Sequence, residues 1–369
     1  MKIGILTMPL ASNYGGILQN FALQTVLRRL GYDPITVRFP SMYQNRSLVS
    51  SLYLYANLLC RHLVKRLLGK QTTMPLRPRV WKKNTYNLEK FIQRNIETTD
   101  YVDKVSIEVF KQYWIGFLIV GSDQVWRPEV PNVINRYFCG FADNVAIPRI
   151  SYAVSLALDE WTFSPEQTQE IMILLKKFSC VSVREKNGVA LLKDNANCNA
   201  EWVIDPTMLL TKEDYLGIIK DTPRSDNQYI FTYILNPNEE KMNYISELSK
   251  SKGLKVVSLN DKAADSSASI ETWLSHFRDS SFVITDSFHG TVFSVLFEKQ
   301  FVCFENPHRG NARMESLKIM TGLHDRFVCG KVTTLSDINY STVSAMLEQM
   351  RGRSIQYLQN SIKKSWIYY

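Results

Sequence analysis

Phe282-Val-Ile-Thr-Asp-Ser-Phe-His-Gly-Thr-Val-Phe-Ser-Val-Leu-Phe297 reads as a strand, a polar turn and a helix in immediate succession. The apolar run Phe282–Thr285 is a buried strand, and Asp286, Ser287 and His289 stand at its carboxyl end. Gly290 follows, and Thr291–Phe297 has the composition of a helix packed on a sheet. In an open α/β sheet, ligands bind where the carboxyl ends of strands face helix N-termini. A histidine in such a turn can exchange protons near neutral pH; a helix cap is the plain alternative.

The same pattern occurs much earlier in the chain. In Phe117-Leu-Ile-Val-Gly-Ser-Asp-Gln-Val-Trp126, an apolar strand over Trp114–Val120 runs into a small-residue turn carrying Asp123, with Gln124 and Trp126 beyond. Gly121 permits close backbone approach, and Ser122 and Asp123 are good helix caps. A third turn lies at the start: Lys2-Ile-Gly-Ile-Leu-Thr7 is a strand, and Asn13-Tyr-Gly-Gly-Ile-Leu-Gln19 opens a helix ending near Leu30. Gly15 and Gly16 sit at the helix entry, where free backbone N–H groups can hold an anion. This is neither the dinucleotide fingerprint nor the phosphate-loop lysine motif.

Outward from these turns, strands alternate with helical patterns, which implies α/β architecture with largely parallel sheets. Residues 1–207 read as an N-terminal domain with strands at Ile3–Thr7, Asp33–Arg38, Phe117–Val120, Arg149–Val154, Cys180–Val183 and Trp202–Ile204. Helices are expected at Ser164–Lys177 and Asn187–Leu192. Residues 208–226 read as a linker and 227–334 as a second α/β domain. Residues 335–369 read as one or two amphipathic helices returning to the first domain.

At 369 residues the chain is long enough for two cores, and 45% hydrophobic with 21% charged is ordinary for a globular protein. Six scattered cysteines without a Cys-x-x-Cys pair argue against a zinc ribbon or a disulfide scaffold and fit a reducing cytoplasm. The N-terminus lacks a signal-peptide pattern, and no apolar run reaches membrane-spanning length.

The net charge of +9 is concentrated. No acidic residue lies between Asp33 and Glu89, while Arg38, Arg46, Arg61, Lys65, Arg66, Lys70, Arg77, Arg79, Lys82 and Lys83 do; the rest of the chain is close to neutral. Within this basic insertion (41–90), Leu48, Leu52, Tyr55, Leu59, Leu63 and Leu67 recur at helical spacing. Such a helix can pack on the first domain with its cations in solvent, or lie on an anionic membrane surface. No nucleic-acid-binding module accompanies the charge.

Asn13-Tyr-Gly-Gly-Ile-Leu-Gln19, Gly121-Ser-Asp-Gln-Val-Trp126, Ser182-Val-Arg-Glu-Lys186, Asp205-Pro206 and Asp286-Ser-Phe-His-Gly290, in that order and rough spacing, resemble the polysaccharide pyruvyl transferase family. The resemblance runs from Lys2 to about Phe327. It implies two Rossmann-like domains in a GT-B-like arrangement and transfer of the pyruvyl group of phosphoenolpyruvate onto a sugar, closing a cyclic ketal. It implies no cofactor beyond this donor and no metal. It also implies an acceptor sugar often carried on a lipid pyrophosphate, and a cytoplasmic enzyme, peripheral at the inner face of the membrane if the basic 38–83 region binds lipid. Many members carry an arginine two residues before the histidine; this chain has Ser287.

On this reading His289 is the acid, Asp286 orients it, and Asp123 is a base or binds sugar hydroxyls. Trp126 offers an apolar face to the sugar. Arg184 is the first candidate for the donor's anionic groups. Arg309 and Arg313, in the loop Glu305–Ser316 that also holds His308, make good the missing arginine. Asn13, Gly15, Gly16, Gln19, Gly121, Ser122, Gln124 and Ser287 complete the binding surface. A GT-B-type glycosyltransferase using a nucleotide-sugar is the alternative, and a noncatalytic carbohydrate- or lipid-binding protein the third.

Overall fold

The computed structural model describes residues 1–369 except 42, 70, 71, 73, 76, 260–267, 306–310, 330–334 and 368–369, and the side chain of 367. Arg309, His308 and Lys70 therefore lie outside the described residues. The N-terminal part runs β1 (Lys2–Leu6), α1 (Tyr14–Arg29), β2 (Pro34–Arg38), α2 (Leu48–Leu67), α3 (Pro78–Asn95), β3 (Thr98–Tyr101), α4 (Ile107–Tyr113), β4 (Ile115–Val120), α5 (Val133–Tyr137), β5 (Arg149–Ser151), α6 (Pro165–Leu175), β6 (Ser182–Val183), α7 (Lys186–Ala196) and β7 (Glu201–Trp202). The C-terminal part runs α8 (Lys212–Ile218), β8 (Tyr229–Tyr233), α9 (Glu239–Lys252), β9 (Lys255–Ser258), α10 (Ile270–Asp279), β10 (Phe282–Thr285), α11 (Phe288–Leu296), β11 (Gln300–Phe304), α12 (Ala312–Thr321), β12 (Phe327–Val328) and α13 (Tyr340–Ile367).

The first sheet has the order β3-β2-β1-β4-β5 with parallel pairings, and the second β12-β11-β10-β8-β9, also parallel. Strands such as β4 (IGFLIV) and β10 (FVIT) are nearly unbroken apolar runs because helices cover both faces of a parallel sheet. In the first sheet the strand order reverses between β1 and β4; in the second it reverses between β8 and β10. Such switch points open a crevice at the strand carboxyl ends. The turns carrying Asn13, Asp123 and His289 leave from these strands.

The chain is thus α/β, with two Rossmann-like domains in a GT-B-like arrangement. Its apolar core is continuous through their junction, joining Ile17 and Leu18 of α1 to Trp273 and Phe293 of the second domain. Tyr14 of α1 stacks on Trp273 (ring centroids 5.5 Å apart) and donates to the Ala268 carbonyl at 2.9 Å. α13 returns across the first domain: the Tyr357 hydroxyl donates to the Ser151 carbonyl, Ser354 Oγ accepts from Ile204 N, and Trp366 meets Phe117.

Four elements differ from the sequence expectations. β3 (TTDY) and β12 are short or polar edge strands without a period-two apolar signal. The segment read as a linker holds α8, started by a Thr211–Asp214 capping box. The tail, read as one or two helices, forms a single helix of 28 residues and so falls within the expectation. α11 begins at Phe288 and not Thr291, because Ser287 caps it by accepting from Gly290 N at 3.3 Å. His289 therefore sits in the first turn of a helix, not in the loop before it.

Candidate active site

Asp205 is the hub. It stands just before the turn Pro206–Leu209, which leaves the first domain, and is fully buried. Its carboxylate accepts from Gln19 Nε2 at 2.6 Å, Arg184 Nη1 at 2.8 Å, Thr207 N at 3.0 Å and Thr207 Oγ1 at 2.6 Å. His289 Nε2 lies 3.7 Å from Asp205 Oδ2, just beyond a hydrogen bond, and is buried with no partner of its own among the described residues. Burial alone would push the Asp205 carboxyl up. His289, Arg184 and Thr207 outweigh it and hold the group well below the usual carboxylate range.

Gln19 ties the first two motifs to this hub. The same Nε2 that reaches Asp205 also donates to Ser122 Oγ at 3.1 Å, and Ser122 Oγ donates to the Ala153 carbonyl. Gly121 has φ 128°, and a Cβ there would fall 2.1 Å from the Tyr152 carbonyl oxygen, so only glycine lets β4 turn this close to the chain leaving β5. Asp123 follows with φ 73°, a left-handed backbone that aspartate tolerates. Its Oδ1 accepts from Gln124 N at 2.9 Å, and its Oδ2 lies 3.5 Å from Asn13 Nδ2. Asp123 is half-buried and Asn13 exposed, so both can meet a ligand. Gln124, also half-buried, accepts from Arg127.

A second buried chain runs from Ser155 through Glu185 and Arg184 to Asp205. Ser155 Oγ donates to Glu185 Oε1 at 2.5 Å, and Arg184 Nε lies 3.4 Å from the same oxygen. Burial opposes the Arg184 charge, but Asp205 and Glu185 reverse the effect and keep the guanidinium protonated. Its Nη2 is buried without a partner among the described residues. The guanidinium carbon lies 4.7 Å from the Phe288 ring centre, and Arg313, on the first turn of α12, approaches the same ring at 5.9 Å. Arg184 and Arg313 thus come together around Phe288, next to His289. Asp159 of the first domain accepts from Ala312 N at 3.1 Å, which fixes α12 at the junction.

The two domains meet at the imidazole. A methyl group on Gly15 would fall 1.9 Å from His289 Nδ1, so the bare backbone of α1 seats the ring. The N-termini of α1 and α11 converge here, and their dipoles favour an anion. Gly15→Ala is expected to displace His289 and lower turnover about a hundredfold, while circular dichroism stays native. Unchanged turnover would mean the ring is not seated by α1.

Three assignments require correction. Asp286 does not orient His289: its oxygens accept from Leu235 N (2.6 Å), Asn236 N (3.0 Å) and Lys241 Nζ (2.7 Å), closing the turn after β8. Asp205 faces the imidazole instead. Trp126 offers no sugar platform, being 0% exposed, stacked on Phe138 and donating from Nε1 to the Tyr137 carbonyl. The Ser287 hydroxyl is taken up as the α11 cap. Asp205 carried a signal in its Asp-Pro-Thr spacing, where a carboxylate two residues before a threonine closes on its backbone. Nothing local marks Lys241 or Phe288.

Fold and site together define a two-domain α/β protein of the GT-B-like kind, with its polar strand ends gathered at the domain junction. The family model described as polysaccharide pyruvyl transferase matches residues 13–308, and the chain belongs to that family. None of the curated proteins matches the sequence. Among solved structures, the chain is similar to an S. aureus MnaA-UDP co-structure (13% identity, 98% of this chain and 96% of that one, TM-score 0.49). It is also similar to UDP-GlcNAc 2-epimerase from Methanocaldococcus jannaschii (10% identity, 95% and 93%, TM-score 0.45). Likeness at this level says nothing of what the chain binds.

Proposed function

We propose that the chain moves the pyruvyl group of phosphoenolpyruvate onto a sugar of a cell-surface polysaccharide precursor, forming a pyruvate ketal. One observation carries this reading within the family: a nearly buried histidine facing a buried carboxylate, beside two arginines and two converging helix N-termini. Phosphoenolpyruvate presents a carboxylate and a phosphate, and such a pole suits both.

In this mechanism His289 donates a proton to C3 of the enol phosphate, making the methyl group and leaving an oxocarbenium-like C2. A sugar hydroxyl adds to C2, its proton passing to Asp123. The C2–O bond to phosphate then breaks, phosphate departing with the electron pair, and a second hydroxyl closes the ketal, its proton returning to His289. Asp205 faces the imidazole and sets a carboxylate beside it. Arg184 Nη2, Arg313 and the α1 and α11 N-termini take the donor's anionic groups; Asn13 and Asp123 face the acceptor. No residue is needed at position 287 beyond the serine cap, since Arg313 supplies a cation from α12.

Thermal unfolding tests the donor. A ligand at 100 times its dissociation constant stabilises by about 2.7 kcal/mol, a shift of several degrees. Phosphoenolpyruvate should raise the midpoint, UDP and UDP-sugars should not, and Arg313→Ala should lose most of the shift. A shift with a nucleotide alone would assign the site to nucleotide-sugar transfer.

A further inference from the structure

We propose that α2 is a membrane-docking helix which lies on an anionic lipid surface. Leu54, Tyr55, Leu58 and Leu59 face inward, half-buried, and Leu54 and Tyr55 pack on Tyr43 and Trp81. The opposite side of the helix is apolar as well. At 3.6 residues per turn, Val49, Leu52, Tyr53, Leu63, Val64 and Leu67 share one outward face, and each is between 51% and 87% exposed. A helix apolar on both sides needs a second apolar neighbour, and a soluble surface seldom leaves such a face bare. The stripe expected from the sequence is divided: Tyr55 and Leu59 turn inward, whereas Leu48, Leu52, Leu63 and Leu67 turn out.

Charge selects the occupant. Arg61, Lys65 and Arg66 are exposed on the same helix, and Arg77, Arg79, Lys82 and Lys83 are exposed at the start of α3, with no acidic residue from 34 to 88. A second copy docked through this face would set two such cation arrays against each other. An anionic bilayer offers both the apolar layer and the counter-charge, and a cation-rimmed apolar helix is the form that binds in the interfacial plane. Among the described residues no helix is long and apolar enough to cross a membrane, so α2 lies on the surface and does not span it. The helix is also joined to the site. Ala11, two residues before Asn13, belongs to the same small cluster as Tyr43 and Trp81, and Gln44 Nε2 donates to the Leu10 carbonyl. The loop that enters the domain junction is thus braced by the base of the docking helix, which suits an acceptor presented at a lipid surface. The link to the acceptor rests on the proposed reaction; the docking does not.

Vesicle co-sedimentation tests it with no substrate present. The full chain should sediment with phosphatidylcholine–phosphatidylglycerol vesicles, bind phosphatidylcholine alone at least about tenfold more weakly, and dissociate as salt rises. Two variants, Leu52→Glu/Leu63→Glu/Leu67→Glu and Arg61→Glu/Lys65→Glu/Arg66→Glu, should each weaken binding at least about tenfold. All six positions are exposed, so both variants should keep the native circular dichroism and thermal midpoint. Absence of binding to anionic vesicles, or variants that bind like the wild type, would overturn the proposal. So would light scattering that shows a dimer, without vesicle binding, which the leucine variant turns into a monomer.

Discussion

His289→Ala should lower turnover by roughly 10²–10⁴, the range a single placed acid or base contributes, and leave the fold intact. The reason for the second half lies in the partners. Asp205 keeps Gln19, Arg184 and both donors of Thr207 when the imidazole is removed, so no buried charge is orphaned. Among the described residues the ring's Nε2 has no hydrogen-bond partner, and Ser287 caps α11 without it. Steady-state release of phosphate from phosphoenolpyruvate, measured beside the thermal midpoint, separates the two effects. A near-normal rate in a folded variant would remove His289 from the chemistry.

Asp205→Asn should destabilise the protein by about 3–5 kcal/mol, the usual cost of breaking one side of a buried ion pair, and abolish most activity with it. The substituted amide can present one oxygen, while Gln19 Nε2, Arg184 Nη1, Thr207 N and Thr207 Oγ1 all donate toward this position. At least one donor then faces the amide NH₂, and the buried Arg184 guanidinium loses its nearest counter-charge. The pH dependence gives a second signature. The folded Asp205 carboxyl is depressed below its unfolded value, about 3.9, so its contribution is fully present above that pH and is lost as pH falls toward the folded value. The gap in urea stability between wild type and variant should be constant near neutrality and narrow below about pH 4. A gap that does not narrow in acid would mean that the Asp205 charge is not what the hub stabilises.

Much of the fold was legible because the signals are local. Apolar runs such as Phe117–Val120 and Phe282–Thr285 end in small polar turns, and the alternation of strands and helices fixes a parallel α/β layout. β3 and β12 were not legible because short edge strands need little apolar burial, and their places are set by neighbours. The site divides the same way. The residues of four motifs do meet: Gln19, Ser122 and Asp205 share one amide donor, and Gly15 lies against His289. Which carboxylate faces the histidine was not legible, since Asp286 is adjacent in sequence but Asp205 is adjacent in space. The backbone N–H groups of Leu235 and Asn236 and the ammonium of Lys241, on α9, take up Asp286 from elements distant in sequence. Trp126 misled for a similar reason, its aromatic surface being consumed by Phe138 and Phe178 within the first domain.

Pyruvate ketals are the product proposed for the domain junction around His289 and Asp205. Proton NMR of surface polysaccharide from the source cells, carrying either the wild-type chain or His289→Ala, tests it most directly. The account predicts the methyl singlet of a pyruvate ketal in the first and its loss in the second, with the protein present at normal levels. A ketal signal that persists in the variant, or one absent from both, would contradict it.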